Sequence, residues 1–356
     1  MRLGNILTAL KTKNKRGLRL LMRDSQAVLR TQFLYSAYES GLLNALRAPS
    51  TKEELARSLS ARRPEMLEAL LDLGLALGEI SLKQDLYRLK GIFSRTLAGR
   101  DGDPFAAAIQ ASMTYYHSIY RHLSERLQGA ALGDYLNEIG PLVARVSILT
   151  EPYTRNFTRS IVGRAGPRRL LDIGCGSGIH LFSAFESNPE VTGVGLDLDG
   201  QVVEQARRNL AAWGAGDRFQ VLAGDIRELH GRLTGSFDLI ALYNLIYYFT
   251  LEERIRLLSL LSGLLSPQGE LAIVSTFQAQ GRDLWSANLN VALNSIAGCA
   301  PLPEMDELVK QLEECGYQVT GIEKLMPGAA YYGLRAKRRR AQKSGPRGDD
   351  LMKGQE

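Results

Sequence analysis

The sequence is poor in cysteine and has no long apolar run, and these two deficits exclude several classes of protein. Its three cysteines, Cys175, Cys299 and Cys315, lie far apart and in no CxxC or Cys/His spacing, so neither a disulfide framework nor a zinc site is expected. No apolar stretch approaches the roughly 20 residues that span a bilayer, and the N-terminus lacks the apolar core of a secretion signal. We therefore expect a cytoplasmic protein with reduced thiols and no metal centre.

Excess positive charge is absent from most of the chain. The 356 residues have a formal net charge of +6. Residues 1–23 hold seven Lys/Arg and no acid, and residues 335–356 hold eight Lys/Arg against three acids. The rest of the chain therefore carries a net charge of about −6 by simple counting. This distribution argues against a basic nucleic-acid surface on the body of the protein.

The length allows two domains with cores of their own, and changes of pattern divide the chain into five segments. The first segment is compatible with an amphipathic helix on an anionic membrane surface. It is also compatible with a solvated or partner-packed helix start, because Asn14 and Gly17 interrupt its apolar periodicity. The predicted segments are a basic N-terminal segment over 1–24, a mostly helical domain over 25–100, a helical connector over 101–165, an α/β domain over 166–336 and a basic disordered tail over 337–356.

The first domain contains an ordered pattern of two helices and a hairpin. Residues 50–59 and 63–80 predict the helices, and residues 80–94 alternate in polarity like a short hairpin. This order is typical of a winged helix, which reads DNA or packs against a partner subunit. The second helix carries Glu65, Glu68 and Asp72, whereas a helix that reads bases needs basic and amide side chains. The sequence therefore favours the packing role.

From Arg168 onward the apolar period becomes that of buried strands. Segments 168–174, 190–199, 218–226, 237–249 and 269–276 predict strands, and helical segments separate most of them. This alternation predicts a Rossmann-like, doubly wound α/β domain whose parallel sheet is covered on both faces. Residues 328–337 predict a last strand at the edge of that sheet.

Glycines and acids recur where these predicted strands end. Gly174, Gly176 and Gly178 follow the first strand and let the backbone approach a ligand, which in such sheets binds beyond the carboxyl ends of the strands. Asp197 ends the second strand about twenty residues after these glycines, the spacing at which an acid accepts hydrogen bonds from ribose hydroxyls. Asp225 ends the third strand and suits an adenine amine.

One more acid decides between two classes of nucleotide. Asp172, at the mouth of the first strand, would repel the pyrophosphate of a dinucleotide but suits an ammonium group. The pattern therefore favours a nucleoside that carries an amino acid, namely S-adenosylmethionine.

The motifs LLDIGCGSG, GLDLD, GDI and FDLIALYNLIYYF together resemble those of the class I S-adenosylmethionine-dependent methyltransferases over about residues 168–276. The module over about residues 32–97, with its helical connector, resembles that of the winged-helix small-molecule O-methyltransferases, which implies a homodimer. The resemblance also implies that the glycine loop surrounds the methionyl part and that Asp172 faces its amino group. The cofactor contacts that it implies are Asp172, Gly174, Gly176, Gly178, Asp197, Leu198, Asp225, Ile226, Tyr243 and Asn244.

The sequence departs from that family at the end of the fourth predicted strand segment. Members typically place a His there, often in His-Asp-Trp, to deprotonate a substrate hydroxyl, whereas this chain has Tyr247, Tyr248 and Phe249. A tyrosine with a pKa near 10 is a poor base at neutral pH. The candidate catalytic residues are therefore Tyr247 and, in the connector, Tyr116 and His117.

Three functions are compatible with this pattern. The first is methyl transfer by in-line displacement to a small-molecule acceptor, which includes apolar or lipid-like ones, without the usual His base. The second is a non-methylating protein that binds the same cofactor. The third is a nucleic-acid methyltransferase or regulator, against which stand the acidic body and the sequence Tyr-Asn-Leu-Ile at 243–246 in place of an Asn-Pro-Pro-Tyr motif. We expect a small-molecule substrate, a homodimer and no nucleic acid, with membrane contact through the basic ends left open.

Overall fold

The computed structural model describes residues 15–163 and 168–339. They form two compact units, one ending at Thr150 and the other beginning at Glu151. Two predicted segments lie mostly outside the described residues. These are residues 1–14 of the basic N-terminal segment and residues 340–356 of the tail, so the structure does not test either prediction.

The described part of the N-terminal unit is helical apart from one antiparallel hairpin. Its first half contains α1 (Lys15–Glu39), α2 (Leu42–Ala45), α3 (Lys52–Ser58), α4 (Pro64–Ala76), the hairpin strands β1 (Ile80–Lys83) and β2 (Leu86–Leu89), and α5 (Ile92–Ala98). Its second half contains α6 (Asp103–Ala111), a π-helical turn (Ser112–Tyr116), α7 (His117–Arg121), α8 (Leu123–Leu127) and α9 (Leu136–Ser147).

Local sequence signals explain most of these elements. Thr51 begins α3 in a capping box with Glu54, and Pro64 is the first residue of α4, as both residue types favour. Gln84 and Asp85 turn the hairpin with φ angles of 51° and 58°, which suits a two-residue turn. The predicted boundary at residue 24 is not a break, because α1 runs continuously from Lys15 to Glu39.

The C-terminal unit is built on a seven-stranded sheet of order β5-β4-β3-β6-β7-β9-β8. β3 to β7 run parallel to one another, whereas β9 pairs antiparallel with both β7 and β8. The elements are α10 (Glu151–Val162), β3 (Arg169–Ile173), α11 (Ile179–Ser187), β4 (Thr192–Asp197), α12 (Gly200–Ala212), β5 (Phe219–Ala223), α13 (Ile226–Leu229), β6 (Phe237–Tyr243), α14 (Leu251–Leu264), β7 (Leu265–Thr276), α15 (Leu284–Leu293), α16 (Met305–Glu314), β8 (Tyr317–Lys324) and β9 (Tyr331–Arg338).

The sheet has an apolar core on each face because successive strand residues point to opposite sides. On one face Leu171 packs in a cluster with Leu257 and Leu258 of α14. On the other face Leu170 packs in a cluster with Phe157 of α10 and Leu181 of α11. The predicted doubly wound α/β fold with a helical N-terminal region is thus confirmed.

The last strands differ from the prediction. The strand predicted for the sheet edge is β9, but it lies between β7 and β8, and β8 forms the edge. β8 escaped prediction because it is mostly exposed and mixes polar and apolar residues, as an edge strand tolerates. β9 also continues to Arg338, two residues past the predicted domain end at 336.

The helix α10, assigned by sequence to the connector, packs on the sheet of the C-terminal unit. Its Phe157, Ile161 and Val162 are buried there, and its Arg155 and Arg159 both pair with Glu186 of α11. This amphipathic face explains why the compact unit begins at Glu151. Within residues 15–163 and 168–339, no helix is long and apolar enough to cross a membrane.

Candidate functional site

The glycine loop joins β3 to α11 at the carboxyl end of the sheet. Gly174, Gly176 and Gly178 have φ angles of 73°, 52° and 80°, a left-handed conformation that favours glycine. The N–H groups of Gly174 and Cys175 donate to the carbonyl of Leu196 at 2.8 and 2.9 Å. The loop is therefore held against the end of β4.

Asp172 is buried on β3, two residues before Gly174. Its side chain is 1% exposed, and neither carboxylate oxygen has a hydrogen-bond partner among the described residues. Burial, together with the nearby Asp197, raises the pKa of the Asp172 carboxyl to about 7. A buried carboxylate without a donor is costly, so this position favours a ligand that brings a positive charge and N–H donors.

Asp197 is the last residue of β4 and supports the loop directly. Its Oδ2 accepts the N–H of Gly176 at 3.0 Å, and its Oδ1 accepts the N–H of Asp199 at 3.2 Å. An ionised carboxylate has further acceptor positions, so Asp197 retains some for a ligand. Leu198, which follows it, is 72% exposed and offers an apolar surface at the same strand end.

Asp225 caps α13 just after β5 and is more heavily bonded. Its Oδ1 accepts the N–H of Arg227 at 2.8 Å, and its Oδ2 accepts from the guanidinium of the same residue at 2.5 and 2.9 Å. Burial pushes the pKa of Asp225 upward, but the hydrogen bonds and charge of Arg227 outweigh it and leave that pKa below its usual value. The adjacent Ile226 is buried.

Tyr243 is the last residue of β6, and its ring points into the layer under α10. Its hydroxyl accepts from Thr158 Oγ1 at 3.2 Å, and His180 of α11 packs edge-on against its ring at 5.0 Å. Burial raises the pKa of Tyr243 and, with the charge of Arg155, lowers that of His180 to about 4. Both groups are therefore neutral near pH 7.

Asn244 follows β6 with a left-handed φ of 54°. Its N–H donates to the carbonyl of Val274 at 2.7 Å, and its Nδ2 donates to the hydroxyl of Tyr331 at 3.0 Å. That hydroxyl also hydrogen-bonds Thr154 Oγ1 at 2.8 Å. The side chain of Asn244 is thus fixed from inside the fold, beside the loop at which Leu245 approaches Gly174.

Tyr247 lies in a 3₁₀ turn (Ile246–Tyr248) that stands where the family has its His. The buried guanidinium of Arg254 donates to the carbonyls of Ile246 and Phe249 at 3.0 Å each, and the carbonyl of Tyr247 accepts the N–H of Ala300 at 2.8 Å. The turn is therefore rigidly held, and it presents tyrosine rings, not an imidazole.

The other two candidate catalytic residues belong to the N-terminal unit. Tyr116 ends the π-helical turn and His117, which is exposed, begins α7. Burial, with a smaller effect of Tyr120, raises the pKa of Tyr116 to about 12, which makes it a poor base. The structure describes the two units separately, so the roles of Tyr116 and His117 remain predictions.

Sequence reasoning overlooked several side chains that the fold brings to the strand ends. Thr154 and Thr158 come from α10, which had been assigned to the connector, and Tyr331 comes from a strand placed at the wrong position in the sheet. Arg227 and Arg254 belong to none of the sequence motifs named above. No local pattern could have found Thr154, Thr158 and Tyr331, since the side chains that they bond lie 85 or more positions away in sequence.

The comparisons agree with this geometry. Residues 171–271 match the family described as "Methyltransferase domain". The chain carries a methyltransferase domain. Among curated proteins, a methyltransferase, ungE', from Aspergillus campestris is 35% identical over 63 residues, which are 18% of this chain and 18% of that protein. The first curated relatives are each matched over less than a third of their own length.

Solved structures resemble the chain beyond the methyltransferase domain. An O-methyltransferase family protein from Burkholderia thailandensis has a TM-score of 0.76 at 18% identity, covering 91% of this chain and 99% of that one. Human N-acetylserotonin methyltransferase, solved in complex with SAM, has a TM-score of 0.72 at 15% identity. The match covers 93% of this chain and 99% of that one. The expected resemblance to class I methyltransferases is thus confirmed, and at these identities the structural likeness concerns the fold.

Proposed function

We propose that the chain is an S-adenosylmethionine-dependent methyltransferase that acts on a small-molecule acceptor. The observation that carries the proposal is Asp172, a buried carboxylate whose two oxygens have no partner among the described residues. An α-ammonium group placed against it would supply both the charge and the donors that are missing. The match of residues 171–271 to a methyltransferase domain supports the same conclusion.

The other strand ends fit the remaining parts of that cofactor. Gly174, Gly176 and Gly178 would follow its methionyl part without a Cβ in the way. Asp197 would accept from the ribose hydroxyls, and Asp225 with Ile226 would flank the adenine, while Leu198, Tyr243 and Asn244 complete the proposed wall. When bound, S-adenosylmethionine supplies an electrophilic methyl group, so the chain needs only to hold, orient and desolvate the reactants.

The end of β6 indicates which acceptors suit this protein. No His occurs in residues 237–249, Tyr243 has a raised pKa, and the pKa of His180 is too low for an effective base at pH 7. A neutral amine, a thiolate or a stabilised carbanion can accept a methyl group without a strong base. We propose such an acceptor, with Tyr247 orienting it and with Tyr116 and His117 as further candidates.

Transfer from radiolabelled S-adenosylmethionine to an extract of the host cells tests the proposal. We expect label in a small molecule with the native chain and none with Asp172→Asn, which keeps the shape but removes the charge. Label in the organic phase would identify an apolar acceptor, and label in the aqueous phase a polar one. Label in protein or nucleic acid would contradict the proposed acceptor class.

The missing His also favours a second candidate, a protein that binds the cofactor without transferring its methyl group. The two candidates predict the same binding but opposite results in the transfer assay, provided that binding is confirmed in the same sample by calorimetry. The homodimer and the cytoplasmic location are proposals as well. Light scattering on the purified chain gives the mass that decides the first.

A further inference from the structure

Arg227 makes a set of contacts that the proposed roles do not use. Its Nε and Nη2 both donate to the same atom, Asp225 Oδ2, at 2.9 and 2.5 Å, and its backbone N–H donates to Asp225 Oδ1 at 2.8 Å. One residue therefore supplies three donors to the carboxylate that the adenine is proposed to meet.

Counting acceptor positions shows what remains open on Asp225. An ionised carboxylate has about four lone-pair positions, two on each oxygen. The guanidinium occupies those on Oδ2, and the backbone N–H occupies one on Oδ1. A single acceptor position is left, on Oδ1, and it matches one N–H of an amino group.

Arg227 is itself held in place by the start of α14. Its Nη1 donates to Glu253 Oε1 at 3.2 Å, and Glu253 Oε2 accepts the N–H of Thr250 at 2.8 Å in the capping box of that helix. Its guanidinium also lies 5.6 Å from the centre of the Phe249 ring. A guanidinium with these contacts is restrained although it is half exposed, so Asp225 is restrained with it.

The charges around Asp225 keep it ionised. Arg227 holds its pKa below the usual value. Glu253 and Glu228 face Arg227, not Asp225, and His230 bonds the carbonyl of Arg227 through Nδ1 at 3.0 Å. Asp225 therefore stays an acceptor across the physiological pH range and cannot donate a hydrogen bond.

We infer that Arg227 is a positioning residue that makes Asp225 an acceptor-only reader of the purine 6-position, and so selects a 6-amino purine nucleoside over a 6-oxo one. The inference rests on the proposed function, since it concerns the adenine end of the same cofactor. An adenine amino group donates to the open position on Oδ1. A 6-oxo group would place an acceptor against an acceptor, which costs the hydrogen bond and adds repulsion.

Calorimetric binding of two stable ligands to the full chain tests this inference. S-adenosylhomocysteine carries the 6-amino group, and S-inosylhomocysteine carries a 6-oxo group in its place. For the native chain we expect the amino ligand to bind about tenfold more tightly or better, with a ratio that is constant between about pH 5 and pH 8. Asp225→Asn, whose amide can donate, should lower or invert the ratio.

Arg227→Met is the decisive variant. We expect its preference to fall to about threefold or less, because Asp225 is then no longer held by the guanidinium. A purely structural loss would weaken both ligands equally and leave the ratio and its pH profile unchanged. Arg256→Met is the matched control, since Arg256 pairs with Glu252 on the exposed face of α14; it should leave the ratio as in the native chain.

The results separate this inference from the proposed function. If S-adenosylhomocysteine fails to bind the native chain, the proposed function is wrong and the inference falls with it. If the ligand binds but Arg227→Met keeps the native ratio at every pH, the inference alone is wrong. A tighter binding of S-adenosylhomocysteine to Arg227→Met would likewise overturn it, because Arg227 would then compete with the adenine.

Discussion

The ends of β3 and β6 lie side by side in the sheet, yet they treat their polar groups in opposite ways. At the end of β3, Asp172 is buried and has no hydrogen-bond donor among the described residues. At the end of β6, Asn244 bonds both Val274 and Tyr331, and Arg254 holds the turn that follows. One strand end keeps a charge uncompensated, and its neighbour satisfies its polar groups within the fold.

The β3 end bears on ligand binding, and the β6 end bears on the proposed methyl transfer. An unsatisfied buried carboxylate lowers the stability of the free protein, and a cationic ligand recovers that energy on binding. A satisfied polar turn contributes rigidity but no proton acceptor. Under the proposed function, the β3 end would hold the cofactor and the β6 end would position an acceptor that needs no strong base.

The largest expected effect comes from Asp172→Asn. We expect the affinity for S-adenosylhomocysteine to fall by about 100-fold or more, because a buried charge pair is lost, while the ligand-free protein becomes more stable by about 1–3 kcal/mol. Calorimetry and thermal unfolding measure the two changes. Asp217→Asn, in an exposed turn, is the control. A variant that is less stable yet binds normally would refute the contrast between the two strand ends.

Asp197→Ala should have the next largest effect. It removes the proposed ribose contact and also the acceptor for the Gly176 N–H, so we expect about a 30-fold weaker affinity for S-adenosylhomocysteine. Asp197→Asn keeps an oxygen that can accept the Gly176 N–H and should lose less. An unchanged affinity in the alanine variant would show that β4 does not contribute to the site.

The pH dependence of binding sharpens the comparison, since only the β3 end titrates near neutrality. The pKa of Asp172 is raised from 3.8 to about 7 in the folded chain. Between these two pH values the folded chain therefore keeps a proton on Asp172 that the unfolded chain has lost. The contribution of this group to stability is therefore largest below about pH 4 and declines as pH rises toward 7.

Ligand affinity should change in the opposite direction. An ammonium group requires ionised Asp172, so the affinity for S-adenosylhomocysteine should rise up to about tenfold per pH unit below 7. It should decline again where the amino group of the ligand loses its proton. Calorimetry from about pH 5.5 to 8.5 measures this profile, and Asp172→Asn should abolish the rising part. A native profile that is flat below pH 7 would contradict the assignment.

A pair of glycine substitutions gives the smallest effects. In Gly178→Ala the left-handed φ of 80° and the Leu210 side chain, 3.3 Å from the new Cβ, should together destabilise the chain by about 1–2 kcal/mol. Gly263→Ala in α14 meets no atom within 4 Å and should stabilise it by up to about 1 kcal/mol. Thermal unfolding compares the two variants, and equal effects would show that the loop conformation carries no strain for alanine.

Short-range patterns predicted the C-terminal unit well. Apolar segments separated by helical ones indicated β3 to β7, and the acids at 172, 197 and 225 were placed at strand ends because each follows an apolar run. The edge strand β8 was missed because exposure on an edge leaves no apolar signature. The sequence placed α10 in the connector because an amphipathic face alone does not show which unit a helix packs on; in the structure it packs on the C-terminal sheet.

The sequence by itself determined the parallel α/β fold, the glycine loop and the acids that end its strands, since these depend on periodicity and on residue types a few positions apart. Only the tertiary structure decided how each acid is partnered. Asp172 is left without a donor, Arg227 beside Asp225 is held by Glu253 of α14, and Asn244 is fixed by Tyr331. The reason is physical: burial and hydrogen bonding depend on side chains from distant strands and helices, and so does the pKa that follows from them.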